Sequence, residues 1–443
     1  MIANQLMSSL NQIKFTEKVI SSWNKTYKKR AKIFYPKKLG EIKEFIKKIK
    51  SENIKYIIKT GECSYDSKSI NVDYETYIIS LKNFNRILKI NKKESFITVQ
   101  SGALISNVIY ELKNKGFTIS SIPGGEKISI GGAISANVIG KDASFKNPAF
   151  GDAVLELIVM TADGVTRKIM KNNEISRYIG AFGMSGIILQ VKLKIKKISS
   201  KNLNVKTNIF KNLDDIKKNL DSINEYNYVQ VDPFFREKNF AIGFSANFSK
   251  QKNNIYKAIN LQSLFFERWF FILSSFFINK FTWRFFYTIF FLANKDKNYE
   301  LDLHNYHYSS KYKHMIPLIT KKGLVDYEIL VKNKFKKKIN SIFNFLKKNN
   351  LFPIYIVIKK IYKSKKIYTY NFNDNGYAVA ISLDKFYINR RLEKKFLQVI
   401  NKNDLKLNLS KTDALLLKKY DKKNNLFMSY YKKKVMNKYE ISR

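Results

Sequence analysis

Between Pro36 and Asn53 the apolar residues Leu39, Ile42, Ile46 and Ile49 recur at three- and four-residue spacing with lysines opposite, which predicts a helix lying on a core. Three short runs follow, KYIIKT (55–60), YIISL (77–81) and SFITVQSG (95–102), and their β-branched and aromatic content reads as strands. A second helical spacing, Leu104, Val108 and Leu112 within Ala103 to Lys115, stops at Gly116. Farther on, AVLELIVMTADGVTRKI (153–169) predicts a hairpin that turns at Ala162-Asp163-Gly164. In GIILQVKLKIKKI (186–198), Leu189, Val191, Leu193 and Ile195 alternate with Gln190, Lys192, Lys194 and Lys196, so one face is buried and the lysines stand in water. The order of these elements is mixed, an α+β pattern.

From about residue 199 the texture changes to longer lysine- and asparagine-rich segments, and a domain boundary is placed near Ser199 and Ser200. A chain of 443 residues is in any case too long for one core. The most apolar stretch is LFFERWFFILSSFFINKFTWRFFYTIFFLAN (264–294). Its uncharged runs, Trp269 to Asn279 and Phe285 to Asn294, are each about half of the ~20 residues that a spanning helix needs. The expectation is of aromatic helices edged by Arg268, Lys280 and Arg284 lying in a headgroup plane. A buried core hairpin is the alternative.

Composition narrows the partners. Lys and Arg number 82 against 35 Asp and Glu, a formal charge of +47. The lysines are spread over nearly every segment, and no basic helix, zinc knuckle or aromatic-basic motif accompanies them, so nucleic acid is not expected. An anionic membrane surface or a phosphorylated substrate fits better. The single cysteine, Cys63, rules out a disulfide framework and a zinc ribbon and points to a reducing, cytoplasmic compartment. The first residues lack the pattern of a secretory signal. His304 and His307 share an i, i+3 spacing, but neither they nor His314 come with a cysteine or a clear carboxylate partner, and no metal site is expected.

The densest local signal is SSIPGGEKISIGGAISANVIGKD (120–142), with four glycines and a proline between Pro123 and Gly132. Glycine accepts positive φ and lets backbone approach a ligand, and a turn of exposed N–H groups makes an anion site. The spacing fits neither G-x-G-x-x-G nor a P-loop. By glycine count alone, a tight turn with small residues for packing stays equally open.

The motifs together resemble a family. Ile122-Pro123-Gly124-Gly125, Ile128-Ser129-Ile130-Gly131-Gly132-Ala133-Ile134 and Asn137-Val138-Ile139-Gly140-Lys141 are followed by Phe150-Gly151 and Met160-Thr161-Ala162-Asp163-Gly164. With Ser22-Trp23, Tyr65 and Phe182-Gly183-Met184-Ser185-Gly186-Ile187-Ile188 in the same order, the first part of the chain resembles the FAD-binding domain of the vanillyl-alcohol oxidase superfamily, in particular the decaprenylphosphoryl-ribose oxidases. The resemblance implies an α+β fold with a two-part FAD-binding domain (15–198 and a C-terminal return over 406–443) and an inserted α+β substrate domain (199–405). It implies FAD contacts at Pro123, Gly124, Gly125, Ile128, Gly131, Gly132, Ala133, Ala136, Asn137, Gly140 and Lys141, at Gly61, Cys63, Ser64 and Tyr65 in an earlier loop, and at Gly186 and Ile187. Glu62 departs from that loop's pattern by adding a negative charge near a phosphate. Ile139 stands where the family has a histidine, so FAD is expected to be noncovalent.

The same resemblance implies a site. Lys411, within Asn408-Leu409-Ser410-Lys411-Thr412-Asp413, matches the catalytic lysine, and Tyr65 is placed to hold the sugar or the flavin edge. Glu328 replaces a neutral amide, Lys359 matches a family lysine, and Ala378 and Ala380 replace an asparagine and a cysteine. The implied reaction is oxidation of a hydroxyl of a polyprenyl-phosphate-linked pentose, the first half of an epimerisation in cell-envelope synthesis. The implied partners are a lipid-linked phosphosugar, the inner face of the cell membrane and a nicotinamide-dependent reductase. Two readings compete: a soluble sugar or sugar-lactone oxidase or 2-hydroxy-acid dehydrogenase of the same superfamily, and a catalytically degenerate basic membrane scaffold.

Overall fold

Alternating stretches of the chain pair into four sheets in the computed structural model, which describes residues 13–52, 54–61, 63–65, 76–142, 148–237, 240–249, 276–308, 319–364, 374–408 and 411. Glu62, His314, residues 264–275 and residues 412–443 lie outside the described residues.

β1 (Thr16–Ser21) and β2 (Lys28–Phe34) form an antiparallel hairpin that the sequence pattern did not announce, because charged residues interrupt both strands and β1 has no buried position. β3 (Tyr56–Lys59) and β4 (Thr76–Ser80) complete a four-stranded sheet of order β1-β2-β4-β3, with parallel pairing at β2–β4 and β4–β3. The helix Leu39–Ser51 lies on it through Ile42, Phe45, Ile46 and Ile49. Leu39, expected on that face, is exposed, and Phe45 fills the stripe instead. Phe45 packs against Phe34 and Tyr56.

β5 (Ile87–Asn91) and β6 (Phe96–Gln100) are followed by the two-residue β7 (Phe117–Thr118), then by β8 (Val154–Met160), β9 (Thr166–Ile169) and β10 (Ile187–Lys194). These make a five-stranded sheet of order β5-β6-β10-β8-β9, while β11 (Lys196–Lys197) pairs with β7. The expected 153–169 hairpin is β8 and β9, and β10 sits at the centre with Leu189, Val191 and Leu193 buried. The helix Ile105–Lys113 buries Ile105, Val108, Ile109 and Leu112 completely. Met160, Ile187 and Leu189 also join the core under the helix Leu39–Ser51, so the two sheets share apolar contacts.

The rest of the chain builds one antiparallel sheet from β12 (Asn202–Phe210), β13 (Tyr226–Val231), β14 (Ala241–Phe248), β15 (Asn298–Asp302), β16 (Leu324–Val331), β17 (Tyr355–Ile361), β18 (Gly376–Asp384) and β19 (Lys406–Leu407). Its order is β15-β12-β14-β13-β17-β18-β16-β19. The boundary drawn before residue 406 therefore falls inside this sheet, since main-chain pairing with Ile329 and Leu330 carries the chain on. The helices Leu213–Asp221, Phe335–Lys348 and Arg390–Lys402 cover one face, meeting Val229, Ile356, Ile358, Tyr327, Ile329 and Val379. The other face turns toward the core of the five-stranded sheet, which Leu203, Val205, Tyr226 and Ala246 join. β16 is buried along its whole length. Its period of two sends Tyr327 and Ile329 to the helices, which leaves Asp326 and Glu328 on the opposite face.

The helix Lys280–Asn294 packs across that opposite face through Tyr287 and Phe291, which meet Ile242 and Phe244. Its N-terminus is closed by Asn279, whose side chain accepts from the N–H groups of Phe281 and Thr282. Among the described residues no helix is long and apolar enough to cross a membrane.

Candidate active site

The glycine-rich segment divides into two parts with different backbone roles. In the helix Ile130–Ala136 the N–H groups are already bonded: Ile130 donates to Ala103 O, Gly131 to Ser101 O and Gly132 to Ser129 Oγ. A Cβ on Gly131 would lie 2.9 Å from Ser101 Cβ, and one on Gly140 would lie 2.4 Å from Asp142 Oδ1, so these glycines allow close packing. In the partly exposed turn Gly124 to Lys127, by contrast, the N–H groups of Gly124, Gly125 and Lys127 have no hydrogen-bond partner among the described residues. That turn is the anion-binding part.

The earlier loop closes onto it. Gly61 N donates to Ser129 Oγ at 3.2 Å, Thr60 and Ser129 share a hydroxyl hydrogen bond, and a Cβ on Gly61 would lie 2.4 Å from Lys127 O. Cys63 and Thr60 line an adjoining cavity of about 480 Å³ with Trp23, Ile33, Ile78 and Lys127. Ser64 O accepts from Trp23 N at 2.9 Å, which places the Trp23 ring 4.8 Å from that of Tyr65. Not every residue expected to touch FAD has a side chain to spare. Asn137, in the left-handed region at φ 44°, caps its helix and accepts from Gly151 N at 3.0 Å. Gly186 (φ 137°) fits where a Cβ would lie 2.8 Å from Met160 O. The whole set nonetheless fits FAD: two glycine-bearing loops meet edge to edge beside open N–H groups, as a pyrophosphate requires.

Against this edge the large sheet presents a charged cluster. Glu328, almost fully buried, has Lys359 Nζ 3.2 Å and Lys411 Nζ 3.4 Å from Oε1, and Asn408 Nδ2 donates to Oε2 at 2.6 Å. Asn408 is held by its own N–H on Glu328 O at 2.8 Å, and Lys411 N turns back onto Asn408 O at 3.2 Å. Lys359 Nζ also donates to Ile139 O at 2.9 Å, a direct link from the sheet to the end of the glycine-rich segment. Ile139 itself packs on Leu330, Ile361 and Ala378, so the loss of a histidine there is matched by apolar residues opposite. Ala380 lies directly across from Glu328 in the β16–β18 register. Burial alone would raise the Glu328 carboxyl, but Lys359 and then Lys411 outweigh it and hold it at about 2. Lys359 is lowered from its ordinary range by burial, with Lys411 adding to the effect and Glu328 opposing it.

Sequence reasoning missed a second group beside this cluster. Asp326 Oδ1 accepts from Tyr355 Oη at 3.2 Å and from the Ser382 hydroxyl, and the Tyr65 phenol lies near both Asp326 and Tyr355. Burial first, then Asp326 and Tyr355, push the Tyr65 phenol well above its usual value, so it acts as a neutral hydrogen-bonding group. The available signal was the strand period: once Glu328 is placed in the site, Asp326 two residues earlier must share its face. Asp142 was also missed. Its carboxylate accepts from Ser121 N at 2.8 Å and Ile122 N at 2.7 Å and so fixes the start of the flavin loop, while burial pushes it up to about 7. Lys141 stacks between the rings of Tyr228 and Tyr306, and His307 is buried against Tyr226 and Tyr306.

The depressed Glu328 carboxyl carries a stability prediction. Its folded value of about 2 lies below the ordinary 4.5. The stabilisation, roughly 3 kcal/mol by linkage, is therefore full above the unfolded value and is lost as pH falls toward about 2. Glu328→Gln is expected to flatten the acid limb of the stability curve in that window; an unchanged limb in urea unfolding from pH 5 to 2.5 would contradict the ion-pair geometry.

Residues 31–169 match the FAD binding domain family, which bears out the flavin-domain resemblance for that part of the chain. L-gulonolactone oxidase of Mus musculus is 24% identical over 177 residues, 39% of each protein. Decaprenylphosphoryl-beta-D-ribose oxidase of Mycolicibacterium smegmatis is 25% identical over 122 residues, 27% of this chain and 26% of that protein. The chain thus spans about two fifths, or less, of the length of these curated relatives. Across nearly the whole chain the fold is shared with solved structures. FgChi7B superposes with a TM-score of 0.68 at 13% identity, covering 98% of this chain and 97% of its own. Cholesterol oxidase from B. sterolicum does so with a TM-score of 0.66 at 13% identity, covering 91% and 87%. The α+β expectation holds.

Proposed function

We propose that this chain is an FAD-dependent oxidoreductase that oxidises a hydroxyl of a polyprenyl-phosphate-linked pentose, in the manner of the decaprenylphosphoryl-ribose oxidases, with FAD held noncovalently. The observation that carries the reading is the Lys359–Glu328–Lys411 cluster bonded directly to Ile139 O at the end of the glycine-rich segment. The turn Gly124 to Lys127 and Gly61 would hold the pyrophosphate, and bound FAD supplies the hydride acceptor. The chain's own residues handle the proton. Two lysines face one carboxylate, so one ammonium can keep the carboxylate paired while the other works on the substrate hydroxyl. Lys411 keeps 32% of its side chain exposed against 10% for Lys359, so Lys411 is the member that a substrate hydroxyl reaches. It takes that proton as the carbonyl forms, and Lys359, fixed on Ile139 O, holds the remaining positive charge. Tyr65, a neutral phenol near Asp326 and Tyr355, orients the sugar.

One surface feature supports the membrane partner of this reading. Phe277, Phe281, Phe285, Ile289 and Leu292 stand exposed along the helix Lys280–Asn294 and its approach, an aromatic stripe suited to the headgroup boundary of an anionic membrane. Phe281→Glu combined with Phe285→Glu is expected to abolish the salt-resistant part of binding to phosphatidylglycerol vesicles and to leave only a salt-sensitive remainder. Unchanged sedimentation with vesicles at high salt would remove the membrane from the proposal. The carbonyl product would pass to a nicotinamide-dependent reductase, completing the epimerisation.

A second reading, a sugar-lactone oxidase, is favoured by the likeness to L-gulonolactone oxidase. Anaerobic absorbance spectra of the FAD-loaded protein separate the two. Bleaching by a polyprenyl-phosphopentose and not by gulonolactone or 2-hydroxyglutarate is expected, and the reverse order would sink the lipid-linked substrate.

A further inference from the structure

Beneath the helix Lys280–Asn294 lies a cleft of about 200 Å³ lined by Gln230, Trp283, Phe286, Tyr287, Phe290, Ile354 and Tyr355. Its polar groups are largely occupied by one another. Gln230 Nε2 donates to Tyr287 Oη at 3.0 Å, and Tyr287 Oη and Trp283 Nε1 both donate to Ile354 O, at 3.0 and 3.1 Å. What remains facing the space is ring surface and methyl groups, which reward an apolar ligand and offer little to a polar one. One lining residue, Tyr355, donates to Asp326 beside the reaction site. Another, Phe286, is half exposed beside the aromatic stripe.

We infer that this cleft binds the first segment of a linear hydrocarbon chain carried by the substrate, an inference that rests on the lipid-linked substrate proposed above and assigns the place of its chain. Two magnitudes support it. The cleft is smaller than the roughly 300–1,000 Å³ of sites that enclose a whole small ligand, so it takes only part of a chain, and the remainder runs out past Phe286 along the stripe. Tyr355 and Lys359 lie four residues apart on one face of β17, about 13 Å, which leaves a phosphosugar between the chain and the reacting hydroxyl. The lysines at the inner end and the rings at the outer end match the two ends of such a molecule.

The test uses two soluble probes, farnesyl phosphate and isopentenyl phosphate, below micelle-forming concentrations, with the FAD-loaded full chain and no vesicles. Farnesyl phosphate is expected to bind at least about tenfold more tightly, because several more CH₂ equivalents leave water. Phe286→Glu, at the cleft mouth, should erase that preference, while Phe286→Leu and Leu88→Glu, the latter exposed on β5 and away from both cleft and stripe, should retain it. Equal affinities for the two probes in the unaltered protein would overturn the inference, and so would a preference that survives Phe286→Glu. A chain-length preference without bleaching by lipid phosphopentose would fail the proposed substrate alone, and bleaching without a chain-length preference would fail the cleft alone.

Discussion

Lys411→Ala is expected to leave FAD bound and the fold intact while lowering the rate of flavin reduction by about 10²–10⁴, the usual cost of losing a positioned acid–base group. The variant removes one of the two ammonium groups on Glu328 and leaves Lys359 to balance it, so the buried carboxylate is not stranded. Lys411→Arg should not rescue the rate, because a guanidinium stays protonated over the accessible pH range and its planar fork does not reproduce an ammonium's position. Lys92→Ala, at an exposed turn, serves as the control and should be silent. In the unaltered protein the rate should rise with pH as the lysine pair gives up its proton. Stopped-flow rates equal for Lys411→Ala and Lys92→Ala would show that the base lies elsewhere, with Lys359 next in line.

Gly132→Leu is expected to yield protein with little flavin. A Cβ at this position lies 3.1 Å from Ser129 Oγ and 3.5 Å from Thr60 Oγ1, the two hydroxyls that join the loops. Alanine requires a shift of a few tenths of an ångström and should lower occupancy modestly. Leucine adds a branched chain at the seam, and the loops must part, taking Gly61 away from Ser129. The ratio of flavin to protein absorbance after saturation with FAD measures this, with acid precipitation showing whether the flavin is released. Full occupancy in the leucine variant would mean that the pyrophosphate is held away from this seam.

The sequence by itself determined the features whose cause is local. A backbone that must pass close to another backbone excludes side chains, so close approach is written in the residue type at glycines 61, 131 and 140, and only the motifs around them together pointed to a flavin domain. Burial of one face writes period two into β10 and the β8–β9 hairpin, and a helical stripe into Leu39–Ser51, although Phe45 rather than Leu39 completes that stripe. Tertiary structure alone decided which glycine-segment N–H groups remain open to an anion, because their partners, Ser101, Ala103 and Ser129, come from other loops or from the capping residue. It also decided the charged site. Lys359, Glu328 and Lys411 are separated by dozens of residues and carry no pattern among 82 basic side chains. They meet because β17, β18 and β16 pair in one register and β19 turns Asn408 and Lys411 back over Glu328. Pairing register is a long-range property, and it fixes which side chains share a face before any one of them has a recognisable role.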